Sequence, residues 1–234
     1  MEEKLDVDNE QISVLTYCSD GNQTWCLSLH GGGPSTKETT EYLSTVFLDR
    51  QISFCSFDFF GQGTSSGDLA ESSLKSRVNQ TAKVISHISA IPLVLVGTSM
   101  GGYIALKLAA TIGIKNLILF CPAAYSTSAW DLRFGHGFTE EIRRERSYLE
   151  SDAEELCRKI AGNVLVVYGS DDKVIPTEVQ SMYETSFQNA TYFKSITIPN
   201  CPHPIHRWIQ DRTDIRISLI QEIQSFVENT DRRQ

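Results

Sequence analysis

The run Pro92-Leu93-Val94-Leu95-Val96-Gly97-Thr98-Ser99-Met100-Gly101-Gly102 decides how this chain is read. Its unbroken apolar start predicts a strand buried on both faces, because a half-exposed strand would alternate with polar residues. Helical periodicity takes over at Met100 and predicts a helix over Met100–Ala110. The Gly-x-Ser-x-Gly pattern therefore falls on a strand-to-helix turn. Side chains at Gly97 and Gly101 would collide with neighbouring elements there, and Ser99 would sit in strained backbone. Its hydroxyl would stand at the carboxyl end of a sheet, beside a helix N-terminus whose free N–H groups favour a developing oxyanion.

Outward from this turn, short β-branched runs alternate with longer helical stretches. Strands are expected at Gln11–Tyr17, Thr24–Leu29, Ile52–Phe57, Leu93–Gly97, Asn116–Phe120, Asn163–Val167 and Lys194–Ile198. Helices are expected at Lys37–Leu48, Asp68–Ile88, Met100–Ala110, Thr177–Ser186 and Asp214–Val227. Such alternation implies an α/β fold with a mostly parallel central sheet and helices on both faces. It breaks once, over residues 122–162, where Trp130, Phe134, Phe138 and a charged run replace strand signals. A long strandless stretch inside an α/β domain predicts an insertion, read here as a small cap over one end of the sheet. With no linker or repeat, residues 1–234 are expected to form a single domain.

Composition agrees. The 234 residues are 41% hydrophobic, 9% aromatic and 21% charged, near globular averages. Lys and Arg total 21 against 29 Asp and Glu, a net charge of −8, which disfavours nucleic acid and anionic membrane surfaces as partners. No run is long enough to span a bilayer, and Met1-Glu2-Glu3-Lys4-Leu5-Asp6 is acidic where a signal peptide is basic; a cytoplasmic protein is expected. Six scattered cysteines without a Cys-x-x-Cys pair are expected to be mostly buried apolar residues. Nothing in the sequence sets an oligomeric state.

A glycine run, His30-Gly31-Gly32-Gly33-Pro34, follows the strand Thr24–Leu29. Glycines there let backbone N–H groups approach a ligand that side chains would block. Two such groups would hold a tetrahedral oxyanion: Gly32, with Gly33 as alternative, and Met100 after the nucleophile. Neither a Walker pattern nor Gly-x-Gly-x-x-Gly is present, so no nucleotide cofactor is expected.

Together these residues resemble the α/β-hydrolase superfamily, over nearly the whole chain. Asp58-Phe59-Phe60-Gly61-Gln62-Gly63-Thr64-Ser65-Ser66-Gly67 is similar to the family's segment after the next strand, a structural support. The family's acid follows a late strand in Gly-x-x-Asp-x-x-Val/Ile-Pro; in Gly169-Ser170-Asp171-Asp172-Lys173-Val174-Ile175-Pro176 the matching position is Asp172, with Asp171 beside it. The base follows the last strand, where Asn200-Cys201-Pro202-His203-Pro204-Ile205-His206 offers His203 by spacing and His206 as alternative. Prolines on both sides make this loop stiffer than the family's usual one. The chain order Ser99, Asp172, His203 is the family's order.

The resemblance implies a serine hydrolase, carboxylesterase-like, acting on a small-molecule acyl substrate through a Ser-His-Asp triad. Thioesterase, peptidase and acyltransferase chemistry share that triad, and a binding or scaffold protein on the same fold is the alternative from another class. Cys201, His203 and His206 lack a fourth metal ligand at characteristic spacing, so no metal is expected. His30 is read as orienting its own loop. Trp130, Phe134 and Phe138 would either line an acyl pocket or form the core of the cap.

Overall fold

In the computed structural model, which describes residues 1–21 and 24–231, the chain begins with strands β1 (Glu2–Val7), β2 (Glu10–Tyr17) and β3 (Trp25–Leu29). A 3-10 turn over Lys37–Leu43 leads into α1 (Ser44–Leu48), and then come β4 (Ser53–Phe57), α2 (Leu74–His87), β5 (Val94–Thr98), α3 (Met100–Ile112) and β6 (Asn116–Phe120). After α4 (Thr139–Arg143) and α5 (Ala153–Lys159) the chain resumes β7 (Asn163–Gly169), α6 (Thr177–Ser186), β8 (Tyr192–Ile198), α7 (Ile205–Trp208) and α8 (Thr213–Asp231).

The eight strands form one sheet in the order β1-β2-β4-β3-β5-β6-β7-β8. Pairings from β4 to β8 are parallel, while β1–β2 and β2–β4 are antiparallel. Strands β4, β5, β6 and β7 are buried at every position, as continuous apolar runs covered on both faces must be. The core is one contiguous cluster running along the sheet, from Ile12 and Phe57 to Ile198 and Phe226.

Every expected strand is present within two residues at each end. One strand was not expected: β1 reads Glu-Glu-Lys-Leu-Asp-Val, and only its alternate positions are sheltered. Its signal was the Asp8-Asn9 turn, whose φ values of 49° and 71° suit a tight two-residue hairpin. Two expected helices are also corrected. Lys37–Leu48 is a 3-10 turn followed by a single short α-turn, and Asp68–Ile88 divides at Ser72-Ser73. The division has a local cause: Ser73 caps α2, its hydroxyl accepting from Ser76 N while Ser76 Oγ accepts from Ser73 N.

Residues 122–162 hold no strand of the sheet, only short helical turns, α4 and α5. Two backbone hydrogen bonds, Phe134 N to Ser72 O and Lys75 N to Trp130 O, dock this stretch on the start of α2.

Candidate active site

The turn between β5 and α3 is built as its glycines require. A Cβ on Gly97 would lie 2.5 Å from the Gly101 carbonyl oxygen, and one on Gly101 would lie 2.3 Å from the Leu29 carbonyl oxygen. Only glycine lets α3 start this close to β3 and β5. Ser99 takes φ 53° and ψ −114°, a conformation L side chains rarely adopt. It is held there by Ser99 N to Phe120 O at 2.8 Å and by Ala123 N to Ser99 O at 3.1 Å. Strain maintained by surrounding hydrogen bonds is characteristic of positions that must present a side chain at a fixed angle.

Ser99 Oγ lies 3.0 Å from His203 Nε2, and His203 Nδ1 lies 2.7 Å from Asp172 Oδ2. The second oxygen of Asp172 accepts from Val174 N at 2.8 Å and Ile175 N at 3.0 Å. Burial pushes the Asp172 carboxyl upward, but the His203 bond and these two N–H groups outweigh it and hold its pKa below the usual value. Three groups on three separate loops, after β5, β7 and β8, thus converge in one hydrogen-bonded chain.

The neighbouring candidates have different surroundings. Asp171 is exposed, and its carboxylate accepts from the Ser170 hydroxyl at 3.2 Å. His206, on the first turn of α7, has both ring nitrogens engaged by other groups: its Nε2 pairs with Thr98 Oγ1 at 2.8 Å and its Nδ1 with Tyr42 OH at 3.0 Å. The ring packs edge-on against Phe120 at 4.4 Å, and burial pushes its pKa down to about 3. Gly31 and Gly32 lie against the turn, where a Cβ on Gly31 would be 3.4 Å from Ser99 Cβ and one on Gly32 would be 3.3 Å from Met100 Cε. Gly33 has φ 66°, and a Cβ there would meet nothing within 4 Å, so it does not pack against Met100 as Gly32 does.

His30 is buried beneath this loop. Its Nε2 accepts from Phe59 N at 3.2 Å, so Nδ1 carries the proton and donates to the Gly31 carbonyl at 2.8 Å. Burial, then the nearby Arg77 charge, pulls its pKa down to about 4, so it stays neutral. The loop Asp58–Gly67 supports the site from behind. Fully buried Asp58 accepts from Lys37 N at 2.8 Å, Lys37 Nζ at 3.0 Å and Thr64 N at 2.9 Å.

A cavity of about 490 Å³ opens beside Ser99 and His203, walled by Gly31, Gly32, Thr39, Ile205 and Gln210 among others. Trp130, Phe134 and Phe138 do not line it. Phe134 packs edge-on against Phe138 at 4.7 Å, and Trp130 lies under Lys107 Nζ at 4.6 Å. They pack among themselves within residues 122–162 and against Arg77 of α2 and Lys107 of α3.

The metal reading of Cys201, His203 and His206 finds its two histidine rings engaged with different partners. A different trio, Cys121, Asp172 and His203, brings its polar atoms within 4.8 Å of one another. Asp172 and His203 are already bonded to each other, and burial raises the Cys121 thiol pKa well above its usual value, against the thiolate a metal would need.

The family model described as "Serine aminopeptidase, S33" matches residues 22–143, the stretch that carries the glycine loop, the Asp58 segment and Ser99. The chain belongs to this hydrolase family. Its α/β-hydrolase fold is shared with solved structures at low identity. Est1E from Butyrivibrio proteoclasticus, with ferulic acid bound, superposes with TM-score 0.74 at 17% identity, over 99% of this chain and 100% of that one. A predicted CIB-like hydrolase from Thermoplasma acidophilum gives 0.71 at 18%, over 96% and 98%. The thioesterase domain from the curacin biosynthetic pathway gives 0.69 at 18%, over 94% and 98%. No curated protein matches the sequence. No helix among the described residues is long and apolar enough to cross a membrane.

Sequence reasoning did not find Arg77, Gln62, Tyr42 or Thr98, which hold the glycine loop and His206. Each is an ordinary polar residue in its local context, and only the packing of distant segments gives it a role.

Proposed function

We propose that this hydrolase cleaves an uncharged carboxylic ester or related acyl bond through an acyl-enzyme. The chain Ser99–His203–Asp172, at 3.0 and 2.7 Å, carries the proposal. Ser99 Oγ attacks the carbonyl carbon as its proton passes to His203 Nε2, and Asp172 holds the ring's tautomer and steadies the imidazolium. The N–H groups of Gly32 and Met100 receive the oxyanion. The leaving alcohol takes the proton from His203. Water, deprotonated by the same nitrogen, then attacks the acyl carbon and frees Ser99.

Acyl carbonyl chemistry also fits what the names of its structural neighbours say, Est1E with ferulic acid bound and a thioesterase domain. An aminopeptidase would need a free carboxylate for the substrate's ammonium. Glu38, an acidic side chain on the cavity wall, is tied to Lys37 Nζ at 2.9 Å, a cation it shares with Asp58 and Glu2. We assign residues 122–162 as a small cap whose aromatic residues pack it to the body. The cysteines among the described residues are free thiols, five of them buried, which suits the reducing cytoplasm.

Intact mass of the protein treated with a fluorophosphonate, with p-nitrophenyl acetate and butyrate turnover on the same samples, tests this. One adduct is expected, present in the wild type and in His206→Ala and lost in Ser99→Ala and His203→Ala. A folded wild type with neither adduct nor turnover would overturn the assignment and favour a binding protein.

A further inference from the structure

Arg77 is almost wholly buried on α2, yet among the described residues no carboxylate pairs with it. A charge withdrawn from water without a counter-ion costs several kcal/mol unless other groups replace its hydration. The replacements here are specific. The guanidinium lies between two aromatic faces, 4.5 Å from the Phe59 centroid and 5.0 Å from that of Phe134. One terminal nitrogen donates to Gln62 Oε1, and the other lies 3.5 Å from the Gly31 carbonyl oxygen. Nε is buried without a hydrogen-bond partner.

Gln62 extends the same support along the loop. Its amide nitrogen donates to the carbonyls of Gly33 at 2.6 Å and Ser35 at 3.3 Å. The carbonyls of Gly31, Gly33 and Ser35 are therefore all held from the side of Arg77, Gln62 and His30. In a trans peptide the N–H points opposite to the C=O of the same unit. Gly31 C=O and Gly32 N–H belong to one such unit, so holding the carbonyl fixes the Gly32 N–H on the opposite side, in a loop whose Gly31 and Gly32 pack against Ser99 and Met100. A positive charge at the carbonyl end also polarises the unit and makes its N–H a stronger donor, an effect that grows in a low-dielectric setting.

We propose that Arg77 is a positioning residue for oxyanion binding: acting with His30 on the Gly31 carbonyl, it fixes and polarises the peptide whose N–H, on Gly32, meets the developing negative charge. This rests on the serine hydrolase reading above. A purely structural Arg77, tying the 122–162 segment to α2, would affect folding and leave oxyanion affinity alone.

The test needs no natural substrate. Wild type, Arg77→Met, Arg77→Lys and Ser99→Ala are checked by thermal melting. Phosphonylation by a fluorophosphonate is then resolved into initial binding and covalent rate, and an alkyl trifluoromethyl ketone, which forms a hemiketal oxyanion on serine, is titrated in competition. In folded Arg77→Met the covalent rate and ketone affinity should fall together by roughly 10- to 100-fold, a fraction of what losing a whole oxyanion donor costs, with initial binding within about 2-fold. Arg77→Lys keeps the charge but not the planar fork, and should lose roughly 3- to 10-fold on both readouts. Unchanged rate and ketone affinity in folded Arg77→Met overturn the proposal while leaving the triad standing. If Arg77→Met does not fold, an Arg77→Lys enzyme unchanged on both readouts overturns it. A wild type that never labels at Ser99 overturns both readings.

Discussion

Asp172 illustrates how much depends on one side chain's surroundings. Its two oxygens are fully used, one by His203 and the other by two backbone N–H groups, so the imidazole it orients has one available tautomer and one direction. Asp172→Asn keeps the shape but presents the wrong hydrogen to His203 Nδ1; kcat is expected to fall roughly 10³- to 10⁴-fold with KM little changed, measured on p-nitrophenyl butyrate. His203→Ala should lose activity to a similar extent. His206→Ala should keep activity within about tenfold and lose stability instead, since it vacates a packed site beside Phe120 and Tyr42. The two histidines are three residues apart in a loop with proline at 202 and 204. Spacing from the strand pointed to His203. The packing of His206 against β6 and the 3-10 turn, with its two nitrogens taken by Thr98 and Tyr42, leaves it no nitrogen for Ser99.

At the scale of elements, the site depends on close approach between backbones. Gly101→Ala would place a methyl 2.3 Å from the Leu29 carbonyl and 2.5 Å from that of His30, both on a strand end that cannot yield without moving the glycine loop. A loss of roughly 3 kcal/mol in urea unfolding is expected, with labelling lost in whatever fraction folds. The loop after β4 depends on a buried pair. Burial opposes the Lys37 charge, but Glu38, Asp58 and Glu2 together raise its pKa, and Asp58 gathers two backbone N–H groups besides. Asp58→Asn breaks this pair and should cost roughly 3 kcal/mol, read from the urea midpoint. That Gly97 and Gly101 must be glycine was legible from the motif. The need for Lys37 was not, because a lone lysine at the start of a helical stretch reads as a solvated surface residue. β1 was missed for a related reason: its charged residues mask a strand that only its hairpin partner stabilises.

Across the whole molecule, buried neutral histidines make stability depend on acidity. His30 and His206 have folded pKa values of about 4 and about 3, below the usual 6.5, because burial disfavours the imidazolium. The unfolded chain therefore takes up protons that the folded one refuses as pH falls below about 6.5. Stability must decline in that window, by up to about 1.4 kcal/mol per pH unit for each group, until the folded values are reached. Asp172 acts at lower pH: its depressed pKa contributes stability above the ordinary carboxylate value, lost as pH falls through the folded one. Urea unfolding between pH 7 and 4.5 should show this decline, and His206→Gln should have a shallower slope; a flat profile in the wild type would contradict it.

The sequence by itself determined the α/β alternation, the buried central strands and the order of Ser99, Asp172 and His203, because periodicity and turn chemistry are local properties of the chain. Tertiary structure alone decided which histidine faces Ser99, that Gly32 and not Gly33 lies against Met100, and that the aromatic residues of 122–162 pack inward instead of walling the cavity. It also brought Arg77 of α2 beneath a loop 46 residues earlier. Each of these depends on which distant segment fills the space around a side chain, and local spacing carries no record of that.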